Sequence, residues 1–460
     1  MFIIIFLLGL SLALLISSQF KQMERLAMAF PLGFGTASFV MFTFTLVGIK
    51  LTASTVEFSL AVLTLLCSAL AFFNMYRQQQ LPWQQPRPVI DLSFVNAAWV
   101  VLAGMIVYLV WGITRKCLYW PPAEFDTILG YDLLSKAIAR EGVLANSILT
   151  NKTIVEQCGP RLLYPPLLAF SNSLCYLTGM ETPKLVNSLF YLSWVPLFYL
   201  LLRRLVNATN AIFFTLWVVV VPEMYAHASF SLTNLPCAIY STIAVMSFVI
   251  WFEKKLEGFF TLSVVAMCFS IWTRSDVVVF IGAILLVLAW YSYRTKTFRH
   301  LLLYLIPLVP FLVWNAYTKA HIPRAQTGFF IQHLFFDAGK LGKVCSAAWE
   351  IMSSSNIYGI TFYLFILALV INILAIVKQR DKWEVLAIIA VALGGYTLLF
   401  YQMTDADGSL FAPGGWMQSG YKRGLFCYAP LVLFYVAISK YVSMAFDLIH
   451  ERLTLFNSKA

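Results

Sequence analysis

Two carboxylates, Glu124 and Asp126, follow the pair Pro121-Pro122 at the end of one apolar run and open the next helical stretch. Proline ends the preceding structure, so both acids stand at a boundary where a carboxylate is partly desolvated and suited to accept a proton. Cations recur at comparable edges, in Arg274-Ser275-Asp276 and Lys422-Arg423. A guanidinium stays charged there, and its fork binds two anionic oxygens at once. Charge so near hydrocarbon is costly and commonly serves a site. Arg161, Lys319, Tyr164 and His227 are further polar groups at such edges.

Each of these residues also has a plainer role. Asp126 suits the N-cap of the helix that follows, and Glu124 is either a second acid or a solvated loop residue. Arg274 can pair with Asp276 or snorkel to the interface. His227 suits a structural hydrogen bond as well as a ligand. Asp132 has Lys136 at i,i+4 and should pair with it on the helix surface.

The elements that carry these groups follow from composition. Of 460 residues, 60% are hydrophobic and 12% charged, against about 45–50% and about 25% in soluble domains. The chain is therefore expected to be an all-α polytopic membrane protein. Apolar runs near 1–18, 27–48, 55–75, 94–114, 183–202, 211–226, 232–252, 258–273, 277–294, 300–317, 356–378, 384–402 and 425–445 give about 13 spans. A crossing of about 30 Å takes roughly 20 residues.

The first run lacks a basic flank before it, so it should be retained, with the amino terminus outside. In that register Lys21/Arg25, Arg77/Arg87, Arg203/Arg204, Lys254/Lys255, Arg294/Lys296/Arg299, Lys378/Arg380/Lys382 and Arg452 fall on one side. That is the positive-inside pattern, and it accounts for the net charge of +11 without a nucleic-acid partner. The connections 115–182, 318–355 and 403–424 then lie on the opposite face. The glycines of 403–424 suit a mobile cover.

Within 115–182, apolar residues at helical spacing from Ile128 to Ile138 predict an amphipathic helix over 127–141, stopped by Gly142. Pro165-Pro166 open an apolar run too short to span, expected to be interfacial or re-entrant. Cys117 and Cys158 bracket part of the loop and can form a disulfide on an oxidising face. The cysteines show no metal-ligand spacing. Tyr119, Trp120, Trp314, Trp416 and Tyr421 fall at outer interfaces, where rings anchor helices. His321 and His333 have no metal-like partners nearby in the sequence, and no phosphate-cradling glycine motif is present.

The chain resembles the GT-C superfamily of polytopic glycosyltransferases from about residue 94 onward. The resemblance rests on Phe125-Asp126 with Tyr131, Ser135-Lys136-Ala137 and Gly142, on Tyr164-Pro165-Pro166-Leu167, and on the stretch Pro222 to Pro236. Asn234 stands where the family often has an acid. Residues 1–93 would be a three-span accessory bundle preceding the catalytic module 94–460. The resemblance implies an inverting transfer of a sugar from a polyprenyl-phosphate carrier to an extracytoplasmic acceptor. That acceptor would be lipopolysaccharide or O-antigen, another envelope glycan, a glycolipid or a protein.

Such a transfer needs a base for the acceptor proton, an offset for positive charge on the anomeric carbon, and cations for the departing phosphate. Asp126 and Glu124 are the expected catalytic acids, and Arg274, Arg423, Lys422 and Arg161 the expected donor-phosphate ligands. Tyr164, His227, Asn234 and Asp276 would bind sugar or acceptor. Glu124 and Asp126 can also ligate Mg²⁺ or Mn²⁺. The expected location is a bacterial inner membrane, with the site facing the periplasm. Alternative readings are a polymerase or ligase acting on diphosphate-linked O-antigen, and a flippase for lipid-linked saccharide.

Overall fold

A backbone in hydrocarbon must satisfy its own hydrogen bonds, which a helix does locally. The computed structural model describes residues 1–77, 95–323, 336–403 and 408–457, and among these residues every regular element is helical. Nine of the described helices are long and apolar enough to cross a membrane: Gln22–Leu46, Ala53–Arg77, Ala97–Tyr119, Lys184–Leu202, Asn234–Lys254, Ser275–Thr295, Arg299–His321, Thr361–Gln379 and Trp383–Gln402. A tenth arises if Met417–Leu425 and Tyr428–Ile438, bent by 41° at their junction, are one span. The chain is thus an all-helical protein of integral-membrane character.

The other expected runs give shorter helices, Phe2–Ile16, Ala208–Val220 and Glu257–Ile271. Local chemistry sets their length. Pro222 follows Val221 and ends the helix Ala208–Val220. The last expected run breaks where Ser439 turns extended, at φ −64° and ψ 141°.

Asn234–Lys254 forms the centre and is buried along nearly its whole length. The outer helices present apolar side chains outward, among them Leu65, Val107, Leu312 and Val370, as lipid contact requires. The second amino-terminal helix, Gln22–Leu46, is bonded into this body. Trp272 Nε1 donates to Ser38 Oγ at 2.9 Å, Tyr240 Oη to the Pro31 carbonyl at 2.6 Å, and Arg204 Nε to Glu24 at 2.6 Å. The expected boundary at residue 93, like Arg87 and His333, lies outside the described residues.

The basic connectors meet at one end of the bundle. Arg204 holds Glu24, Lys254 donates to the Arg204 carbonyl, Lys382 pairs with Glu253 at 2.5 Å, and His300 with Glu257 at 3.1 Å. The first long loop is at the other end. There the helix Asp132–Glu141 is amphipathic and stops at Gly142, whose φ of 75° is left-handed. The Gly142 carbonyl accepts from Leu51 N at 2.7 Å. Asp132 pairs with Lys136 at 2.8 Å as the spacing predicts, and also accepts from Tyr176 Oη.

Three expectations for this end are corrected. Of the two alternatives for the run after Pro165-Pro166, the interfacial one is overturned, because the helix Leu167–Leu177 is buried in protein from Leu167 through Cys175. Cys117 and Cys158 are free thiols, and the Cys117 thiol instead faces the Ala228 carbonyl at 3.7 Å. Trp314 and Tyr421 are buried, whereas Tyr119 and Trp120 are exposed as anchoring rings should be.

Candidate active site

Asp126 enters a wide first turn, Thr127–Tyr131, that leads into the helix Asp132–Glu141. It does not cap that turn: the amides of Thr127 and Ile128 are satisfied by the Glu124 carbonyl, each at 3.0 Å. The carboxylate is thereby left for two arginines. Arg161 Nε donates to Oδ1 and Arg423 Nη1 to Oδ2. Arg161 comes from the turn Gly159–Leu163, where its Nη1 also donates to the Cys158 carbonyl at 3.0 Å and its guanidinium lies 4.9 Å from the Phe125 ring. Gly130 makes this approach possible, since a Cβ there would meet Arg161 Cβ at 3.0 Å. Trp314 Nε1 anchors the same turn through the Leu163 carbonyl at 3.0 Å.

Burial alone would push the Asp126 carboxyl up. The hydrogen bond and charge of Arg161, together with Arg423, outweigh it and hold the group below the usual carboxylate range. Asp126 is therefore an anion each of whose oxygens already accepts from a guanidinium.

A second cluster runs beside the first. Arg274 is buried and grips Asp276 through Nε at 3.1 Å and Nη2 at 2.7 Å, and it donates from Nη1 to Asn234 Oδ1 at 2.5 Å. Its guanidinium lies 5.1 Å from the Tyr164 ring. The Asn234 amide nitrogen, its oxygen being taken, faces His227 Nδ1 at 3.3 Å. His227 Nε2 then donates to Glu223 at 3.1 Å, and Lys422 Nζ reaches the same carboxylate at 3.0 Å. Both plain expectations for this cluster hold: Arg274 pairs with Asp276, and His227 is hydrogen-bonded within the fold.

Glu124 is an acid within the site and not a solvated loop residue. Its Oε1 pairs with buried Lys184 at 3.6 Å, while Oε2 is buried with no hydrogen-bond partner among the described residues. Lys184 and Glu223 were not foreseen from the sequence. Glu223 was legible, because it precedes His227 by four residues and that spacing puts both on one helix face. Lys184, first in an apolar helix, carried no local signal.

Two cavities open on Asp126. One of about 350 Å³ is walled by Asp126, Arg161, Arg274, Arg423 and Tyr164 and closed by the 409–420 segment, including Trp416. The other, about 340 Å³, is lined by Glu124, Phe125, His227, Phe230 and Lys422, and shares Asp126, Arg161 and Arg423 with the first. Both fall within the roughly 300–1,000 Å³ of small-molecule sites. Every expected site residue except Asn234 and Asp276 lines one of them, and those two hold Arg274 from behind. Lys319 is exposed and is not among the lining residues.

The donor set does not fit Mg²⁺ or Mn²⁺. Both Asp126 oxygens carry guanidinium groups and Glu124 faces an ammonium, so a cation would enter against three positive charges. Among the described residues, no three His, Cys, Asp or Glu side chains converge as a metal site would require. The chain matches no protein-family model, and no curated protein and no solved structure is significantly similar to it.

Proposed function

We propose that the protein is an integral membrane glycosyltransferase that moves a sugar from a polyprenyl-phosphate carrier to an extracytoplasmic acceptor, with inversion at the anomeric carbon. The observation that carries this reading is a single carboxylate, Asp126, held by Arg161 and Arg423 in the wall common to two cavities. Such a wall gives one acid access to two substrates, and the cations needed by a phosphate are already beside it.

The first cavity suits the donor. Its three guanidiniums face two carboxylates, Asp126 and Asp276, which leaves one net positive charge. A sugar-phosphate-prenyl diester carries one negative charge, whereas a diphosphate-linked saccharide carries two. The balance therefore favours the monophosphate carrier over the substrate of an O-antigen polymerase or ligase. The orienting bonds from Asp276 and Asn234 use three of the five N–H groups of Arg274, so two remain for phosphate oxygens.

In this mechanism the arriving phosphate draws N–H donors from Arg161 and Arg423, which frees lone pairs of Asp126 and makes it more basic. The acceptor hydroxyl oxygen attacks the anomeric carbon from the face opposite the phosphate, and its proton passes to Asp126. The bond from carbon to phosphate oxygen breaks with its electron pair. The departing polyprenyl phosphate thus gains a second negative charge, which Arg423, Arg161 and Arg274 stabilise.

Thirteen crossings are the topology that supports this site. Arg204, Lys254 and Lys382 gather at one end and Asp126 lies in the first long loop at the other, as thirteen crossings would place them. By charge, the first end is cytoplasmic. The site then faces the periplasmic side of a bacterial inner membrane, where prenyl-linked sugars and envelope glycans meet.

Purified protein supplied with a radiolabelled polyprenyl-phosphate sugar tests the reading. Release of unlabelled carrier with label in the acceptor is expected. Passage of intact labelled lipid across vesicles, with no cleavage, would replace it with a flippase.

A further inference from the structure

A third cavity, of about 350 Å³, also borders Lys422 but not Asp126. One wall is the amphipathic helix Ala338–Ser353, which presents Glu350 and Ile351, continued by Ser354. The facing wall is Phe411 and Gln418, from the segment whose other residues close the donor cavity. Lys422 borders both this cavity and the one containing Glu124, His227 and Asp126. Lys422 thus joins this cavity to the second, as Asp126, Arg161 and Arg423 join the second to the first.

We infer that the third cavity binds the second sugar of an acceptor glycan, so that the acceptor is an oligosaccharide chain. This rests on the glycosyltransferase reading and adds the acceptor class to it. The chemistry of the walls matches a pyranose, which offers an apolar ring face and a rim of hydroxyls. Phe411 and Ile351 supply the apolar wall. Around them are Glu350, an exposed carboxylate that enters no ion pair among the described residues, the Ser354 hydroxyl, and the amide nitrogen of Gln418. The Gln418 Oε1 already accepts from Gly414 N at 2.8 Å, which leaves its NH₂ as the donor group. Lys422 is neutralised by Glu223 at 3.0 Å, so the passage between the two acceptor cavities does not select for an anion. A protein side chain or a simple lipid hydroxyl would fill the cavity beside Asp126 and leave this one unused.

The test uses the full-length protein, a polyprenyl-phosphate sugar, and mono-, di- and trisaccharide fractions released by mild acid from the envelope glycan of the producing cells. KM for the acceptor should fall about tenfold, a gain of about 1.4 kcal/mol, between the mono- and disaccharide. Glu350→Gln should erase that difference while the donor KM stays at its wild-type value. A wild-type acceptor KM that does not change with length overturns the inference and leaves the glycosyltransferase reading standing, and this arm needs no variant to fold. Absence of transfer to every fraction, with the carrier uncleaved, overturns both.

Discussion

Arg423 binds the carboxylate of Asp126 across a sequence separation of 297 residues, and in doing so joins the first long loop to the segment before the last apolar helix. Arg161 takes the other oxygen from 35 residues away. The acid is thus held by groups that the proposed donor phosphate would also attract, and this competition shapes the expected kinetics.

Replacing Asp126 with Asn removes the base and keeps the side-chain shape. Transfer should fall by about 10²–10⁴-fold, the usual contribution of general base catalysis, while the variant elutes as a monodisperse species. An Asn variant with wild-type turnover would exclude Asp126 as the proton acceptor.

The pH dependence follows from the sign of the Asp126 shift. Its folded pKa is depressed, so the stability it contributes is present above the unfolded value of about 3.9 and is lost as pH falls through the lower folded value. The acid limb of kcat/KM, which reports the free enzyme, should therefore lie below the ordinary carboxylate range. In the donor complex the arginines have turned to phosphate, so the acid limb of kcat should appear at higher pH. Coincident limbs in the two profiles would remove the competition from the mechanism.

Arg423→Lys keeps the charge and loses the fork. A lost charge-assisted hydrogen bond is worth about 1.5–3 kcal/mol, so kcat/KM for the donor should drop roughly 10- to 100-fold. Unchanged donor kinetics would mean that Arg423 serves only Asp126.

Asn234 holds Arg274 on one side and His227 on the other. Asn234→Leu leaves both buried partners unsatisfied and should cost about 1–3 kcal/mol, read as a lowered midpoint of thermal unfolding in detergent. Asn234→Asp still accepts from Arg274 and should retain most of the stability.

Cys345 is exposed and the other seven cysteines are buried. A membrane-impermeant maleimide added to intact spheroplasts should label one thiol, and the Cys345→Ser variant none. Labelling that requires permeabilisation would invert the proposed topology and put Asp126 in the cytosol.

The sequence by itself determined what depends on neighbours in the chain. Helical membrane character follows from composition, the stop at Gly142 from a left-handed cap, the Asp132–Lys136 pair from i,i+4 spacing, and the pairing of Arg274 with Asp276 from two-residue proximity. Asp126, Arg161 and Arg423 were legible as candidates because each is a charged group beside an apolar run, and at such an edge charge is expensive. Their convergence was not legible. Nothing local tells that Lys184 turns to Glu124, that Trp314 is buried on the Leu163 carbonyl instead of anchoring at lipid, or that Arg161 and Arg423 share one carboxylate. Those relationships were decided only by tertiary structure, because the ion pairs and cavities form where helices distant in sequence pack together, and residue spacing carries no record of that.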